Sequence, residues 1–143
     1  MKRSTFHFGL LILPALLASC TIWRPTTLFN NTGQAIELSM RGDTYTIIPN
    51  QFVQFRHPSG HTNWEFRLTG GGCEYLYDIP DFHDDYSFPI VSFGSERGGQ
   101  MQVEKDFNLN FLSPSYAADT PASGEMILKQ KGFPLQPVSR KCH

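Results

Sequence analysis

The chain has 143 residues, twelve of them basic and thirteen acidic, and a formal net charge of −1. This length suits a single domain. The balanced charge leaves no basic footprint of the kind that binds nucleic acid, and no polybasic segment that would hold the protein on a membrane surface.

Residues 1–19 are interpreted as an export signal. Lys2 and Arg3 give a positive start, and residues 8–18 form an apolar run of eleven residues, too short to cross about 30 Å of hydrocarbon. Small residues at the end of such a run are typical of a secretory signal. A buried helix or a short membrane anchor fits less well, because the rest of the chain has little helical periodicity. Removing 19 of 143 residues leaves 124, and losing Lys2 and Arg3 changes the net charge from −1 to −3.

The apolar run ends in Leu17-Ala18-Ser19-Cys20, which resembles the lipobox of bacterial lipoproteins. The resemblance implies that Cys20 receives a diacylglycerol on its sulfur, becomes the first residue after cleavage and is acylated on its new amine. Two or three acyl chains hold a protein on a membrane effectively for good. By the family's sorting rule, Thr21 in place of aspartate indicates the outer membrane of a Gram-negative cell.

A short tether over 20–25 is predicted to precede an all-β domain over 26–112. Alternating polar and apolar residues, with turn signals at short intervals, predict about eight short strands. In chain order the strand-like segments are 26–29, 36–41, 44–48, 51–57, 64–68, 73–79, 86–93, 100–105 and 107–112. Pro89 weakens the segment at 86–93 and suggests an edge or a bulge.

This spacing of strands predicts a small antiparallel sandwich or barrel. The sheets should be mostly antiparallel, because no helical crossover is available to join parallel strands. The core should be filled by apolar residues from the inward strand faces: Ile36, Leu38, Phe55, Trp64, Phe66, Phe88 and Val103.

Residues 113–143 are rich in Pro, Ser, Thr and Gly, which predicts an extended tail with little regular structure. Only 126–129 has a strand-like pattern. The Tyr- and Phe-rich β domain, together with Gly132-Phe133-Pro134-Leu135 in the tail, resembles several small proteobacterial lipoproteins of unassigned function. That resemblance implies no particular activity.

The predicted mature protein contains Cys20, Cys73 and Cys142. With Cys20 acylated, the other two remain in an oxidising compartment, where pairing is expected. We therefore predict a Cys73–Cys142 disulfide that ties the tail back to the domain. The same compartment disfavours Cys73 as a thiolate nucleophile.

Histidines and acidic residues supply the candidate metal ligands. His57 and His61 flank Pro58-Ser59-Gly60, and a turn there could bring both rings to one ion. A surface turn with two polar flanks explains the same pattern and is preferred.

A second candidate is the acidic stretch around His83, which contains Asp78, Asp81, Asp84 and Asp85. Carboxylates in one loop could hold calcium, but the spacing does not match the calcium-loop pattern of ligands. We interpret the stretch as a solvated acidic loop.

The aromatic content is 13%, high for a small domain. Most rings should lie in the core, and a surplus on one surface could contact a protein or a glycan. The candidate contact residues come from one region of the chain: Tyr75, Tyr77, Phe82, Asp84, Asp85 and Tyr86.

Catalytic signatures are missing from the sequence. It has no Gly-x-Ser-x-Gly elbow, and the glycine run at 70–72 lacks the Lys-Ser/Thr that a phosphate-binding loop needs. We expect a lipid-anchored, non-catalytic binding or structural module without a cofactor, which contacts an envelope protein or the cell wall. The alternative is a small metal-dependent or hydrolytic envelope enzyme that uses His57 and His61 or the 78–85 region.

Overall fold

The computed structural model describes residues 22–59, 64–79, 99–112, 120–127 and 132–143. These parts of the chain form two β-sheets that are not closed into a barrel. The predicted all-β fold is therefore confirmed, as a sandwich. Within the described ranges, no helix is long and apolar enough to cross a bilayer.

The described ranges contain nine strands and a single turn of 3-10 helix at Gly124–Met126. In chain order the strands are β1 (Ile22–Asn30), β2 (Ile36–Met40), β3 (Asp43–Ile47), β4 (Phe52–Ser59), β5 (Trp64–Gly70), β6 (Cys73–Ile79), β7 (Gly99–Val103), β8 (Leu109–Phe111) and β9 (Ser139–Cys142). They lie in two sheets, in the orders β4-β1-β7-β8 and β3-β2-β5-β6-β9.

Neighbouring strands are antiparallel, except that β1 and β7 are parallel. After β1 the chain passes to the second sheet for β2 and β3, returns for β4, and passes across again for β5 and β6. This route through the opposite sheet ends with β7 beside β1, and the two strands pair in parallel. The mostly antiparallel arrangement is as predicted, and the parallel pair is the exception.

Alternation with a period of two places one face of each central strand in the core. In β5, Trp64, Phe66 and Leu68 are buried, whereas Glu65 and Arg67 are exposed. Burying a large apolar side chain contributes roughly 1.5–3 kcal/mol relative to leaving it exposed.

The predicted core is confirmed wherever the structure describes it. Phe88 and the predicted strand at 86–93 lie outside the described residues. The predicted residues found in the core are Ile36, Leu38, Phe55, Trp64, Phe66 and Val103.

Two tight turns close the hairpins of the second sheet. Arg41 and Gly42 have φ angles of 53° and 92°, and Gly71 and Gly72 have φ angles of 60° and 75°. Positive φ at both central residues is typical of the type I′ turn, whose twist matches that of a hairpin. The glycine run is therefore a defined hairpin turn.

The start of β1 differs from the prediction. The strand begins at Ile22 rather than at residue 26, and Ile22 lies opposite Ser59 of β4. The predicted tether over 20–25 is too long, because its last four residues belong to the sheet. Pro25 made the extension of β1 to Ile22 difficult to predict, since proline is normally taken to mark the end of a strand.

The C-terminal segment also differs from the predicted extended tail over 113–143. Its described part at 120–127 packs on the outer face of the first sheet. There the side-chain oxygen of Gln102 accepts a bond from the Ala122 N–H (2.7 Å), and its amide nitrogen donates to the Ala122 carbonyl (3.1 Å). Gln102 is 1% exposed, so this pairing satisfies a buried amide.

The described part at 132–143 reaches the edges of both sheets. Leu135 pairs with Leu109 of β8, and β9 then pairs with β6. The predicted strand at 126–129 is not found where described: Ile127 makes an isolated bridge with Leu112, and residues 128 and 129 lie outside the described ranges.

The predicted disulfide joins Cys73 to Cys142. The two residues lie opposite each other in β6 and β9, with their Cα atoms 4.0 Å apart. On the same strand, the guanidinium of Arg140 lies 5.5 Å from the ring centre of Tyr75, within the range of a cation–π contact. The end of the chain is thus held covalently and by backbone pairing.

Replacing both cysteines, Cys73→Ser with Cys142→Ser, should lower the free energy of unfolding by roughly 4 kcal/mol, because the bond closes a loop of about 70 residues in the unfolded chain. Denaturant unfolding measures the loss, and limited proteolysis should show earlier cleavage near β9. Reduced wild-type protein should behave like the double variant. Equal stability of oxidised wild type and double variant would contradict this role.

Candidate functional site

The end of the sandwich at which β1 begins gathers aromatic and basic side chains from both sheets, some of them exposed and one of them buried. We call it the N-terminal end and define it by Trp23, Arg41, His57 and Trp64. The strands determine where these residues lie. Trp23 lies opposite Pro58 in β4, Arg41 occupies the β2–β3 turn, and Trp64 is the first residue of β5.

Trp23 and Arg41 form an exposed pair that joins the two sheets. The Trp23 side chain is 44% exposed, and the guanidinium carbon of Arg41 lies 5.0 Å from its ring centre. This is a cation–π geometry. The type I′ turn projects Arg41 beyond the strands, so the pair presents a large ring and a positive charge to the surroundings.

His57 covers the buried indole of Trp64. The two rings are stacked, with centroids 4.5 Å apart and planes 11° apart. Trp64 is 7% exposed and meets Phe55 edge-on at 6.0 Å. The ring of His57 is therefore positioned by packing on the end of the aromatic core.

The structure describes only part of the predicted metal sites. Among the described residues, no three His, Cys, Asp or Glu side chains lie close enough together to hold an ion. His61 and His83 lie outside the described ranges, as do Asp81, Asp84 and Asp85. Only His57 and Asp78 of those candidates are described.

A shallow cavity of about 560 Å³ lies beside the N-terminal end, on the second sheet. Arg41 belongs both to its wall and to the exposed pair. The other lining side chains are mixed in character, including Ser39, Asp43, Thr44, Glu65, Arg67 and Leu76. The lining thus carries both positive and negative charges.

Tyr75 and Tyr77 were predicted to be surface contact residues, and this prediction is wrong. Tyr75 is 6% exposed and Tyr77 is fully buried. The ring of Tyr75 stacks on Phe107 with centroids 3.8 Å apart, and Tyr77 stacks on Phe66 at 5.0 Å. Both share a strand face with Cys73, and that face points into the core.

The rest of the predicted contact region, Phe82, Asp84, Asp85 and Tyr86, lies outside the described residues. The burial of Tyr75 and Tyr77 had a signal in the sequence. Tyrosines at positions i and i+2 of a strand share the face of the apolar residues flanking them. The same reasoning could not have identified Trp23, because its strand was not predicted to extend so far.

A polar network around Glu104 also escaped prediction. Its carboxylate accepts bonds from the side-chain amides of Asn31 (2.6 Å), Gln102 (2.7 Å) and Asn110 (2.8 Å). These residues come from the end of β1, from β7 and from β8, so the network ties three strands together. Because the amide donors are matched by the carboxylate oxygens of Glu104, we interpret the network as one that stabilises the fold.

Comparison of the chain with family models, with curated proteins and with solved structures finds no match.

The phenol of Tyr77 donates a 2.6 Å hydrogen bond to the carbonyl oxygen of Phe107, and burial, aided by nearby Tyr75 and Asp106, raises the pKa of Tyr77 above its ordinary value. The neutral phenol is thus favoured in the folded state. Its contribution is complete below the unfolded pKa of about 10 and declines as pH rises above it.

Tyr77→Phe should therefore cost about 1 kcal/mol of stability at pH 7, through the lost hydrogen bond. Above pH of about 10 its free energy of unfolding should fall less steeply than that of wild type. Denaturant midpoints measured from pH 7 to 11 test this. Parallel curves for Tyr77→Phe and wild type would contradict the assignment.

Proposed function

We propose that the chain is a lipid-anchored cell-envelope protein whose β domain is a non-catalytic binding or structural module. The observation that carries the proposal is the Leu17-Ala18-Ser19-Cys20 sequence at the end of a short apolar run. Only Thr21 separates Cys20 from Ile22, where β1 begins. An acyl group on Cys20 would hold the domain directly against its membrane.

Two further features support this location. The Cys73–Cys142 disulfide is typical of an oxidising compartment such as the periplasm. Thr21 after the acylated cysteine favours the outer membrane, with the domain facing the periplasm. The partner would be an envelope protein or the cell wall.

The use of the polar side chains supports a non-catalytic module. In the described ranges, the buried amides of Asn30 and Gln102 bond to backbone groups. Glu104 is engaged by three amides, and the Tyr77 phenol by a carbonyl. Each of these groups serves the fold. A hydrolase would instead need a nucleophile, a base and an orienting group that converge on substrate.

Cys20→Ala should abolish acylation and move the protein from the membrane fraction to the soluble fraction, because alanine has no sulfur to which the lipid could be attached. Metabolic labelling with a radioactive fatty acid, followed by fractionation, measures both effects. The matched control is Cys73→Ser with Cys142→Ser, which should keep the label. Label that survives in Cys20→Ala would refute the anchor.

The non-catalytic proposal is tested by comparing two sets of substitutions in cells. His57→Gln, His61→Gln and His83→Gln together should leave the cellular phenotype unchanged. Phe82→Ala with Asp85→Asn should weaken capture about tenfold or more, since aromatic and charged contacts dominate interfaces. Thermal unfolding checks that both variants are folded. If the histidines are required for the phenotype and the 82–85 region is not, the alternative of a metal-dependent or hydrolytic enzyme is favoured.

A further inference from the structure

The Trp23–Arg41 pair is the most distinctive surface feature that neither the core nor the disulfide explains. The indole is 44% exposed, so an apolar ring is in contact with the surroundings. A guanidinium held 5.0 Å above the same ring adds a positive charge. The question is what lies opposite this pair.

The length of the chain limits the answer. Trp23 is three positions after Cys20 in the chain, so their Cα atoms are at most about 11 Å apart even in a fully extended chain. The headgroup region of each leaflet is about 5–8 Å thick, judged from total and hydrocarbon thickness. If the acyl chains on Cys20 are in the hydrocarbon, Trp23 lies within reach of the headgroups.

The chemistry of the pair fits that region. Tryptophan is enriched at the membrane–water interface, where its ring is apolar and its N–H finds a polar partner. A guanidinium is suited to bind phosphate oxygens, and a basic residue near an anionic surface is attracted to it. We propose that Trp23 and Arg41 lie in the lipid headgroup region and seat the N-terminal end of the sandwich on the bilayer. This inference rests on the proposed acylation of Cys20.

The opposite end supplies an internal contrast. Phe52 is 50% exposed and lies six residues along β4 from Pro58, the partner of Trp23, which places it about 20 Å away. The exposed Lys105 also lies there, in the turn that follows β7. An oriented domain brings Trp23 and Arg41 to the membrane and holds Phe52 and Lys105 away from it.

The chain contains two tryptophans, and Trp64 is buried, so fluorescence isolates Trp23. The acylated full chain is reconstituted in vesicles of phosphatidylcholine and phosphatidylglycerol, with and without brominated acyl chains as quenchers. The Trp23 signal is the emission of wild type minus that of Trp23→Phe. Bromine should quench it, as expected for an indole at the membrane interface, while the emission of Trp64 should stay unchanged.

One matched control moves the indole to the far end of the sandwich, and another makes the same charge change at each end. Trp23→Phe with Phe52→Trp places an indole at the far end, where bromine should not quench it. Arg41→Glu should reduce quenching of Trp23 in vesicles that contain phosphatidylglycerol, and Lys105→Glu, the same charge change at the far end, should not.

The possible failures are distinguishable. If the protein isolated from cells carries no acyl group, the anchor proposal fails and the membrane contact fails with it. If the protein is acylated and stays on the vesicles but bromine leaves Trp23 unquenched, the contact alone is overturned. Equal quenching at Trp23 and at the Phe52→Trp position would also overturn it, because the domain would then have no fixed orientation.

Discussion

The C-terminal strand completes this sandwich, and the rest of the structure depends on how it is held. Leu135 pairs with β8 of one sheet and β9 pairs with β6 of the other, so one short segment reaches the open edges of both. The bond between Cys73 and Cys142 removes much of the entropy that this segment would gain by leaving. Beneath it, Phe107 lies against Tyr75. Releasing the segment would expose aromatic surface and an unpaired sheet edge.

The two ends of the molecule consequently differ in character. The disulfide, the glycine turn and the Glu104 network are at the end away from Trp23, where backbone and side-chain bonds are largely internal. The N-terminal end instead presents Trp23 and Arg41 outward and places His57 over the core. A domain anchored at Cys20 would place this end nearest the membrane. The opposite end, which contains the disulfide and the Glu104 network, would then face the periplasm and any partner there.

Much of the fold could be predicted from local patterns, and each error has a physical cause. Alternation in β5 identified Trp64 and Phe66 as core, and the count of thiols identified the disulfide. The C-terminal segment was taken as a tail because its contacts, such as that between Leu109 and Leu135, join residues distant in sequence. Composition favours extended structure there, and only tertiary pairing gives it order. Tyr75 was placed on the surface by composition, although its position in the strand pointed inward.

The central claim is that Cys20 is the acylated first residue of a mature, membrane-held protein. Mass spectrometry of the N-terminal peptide, taken from protein isolated with its own membranes, tests this most directly. If Cys20 is the acylated first residue, the peptide begins at Cys20, lacks Ser19 and carries the mass of a diacylglycerol on sulfur with an acyl group on the amine. A peptide that reads through Ser19 into an unmodified Cys20 would contradict it.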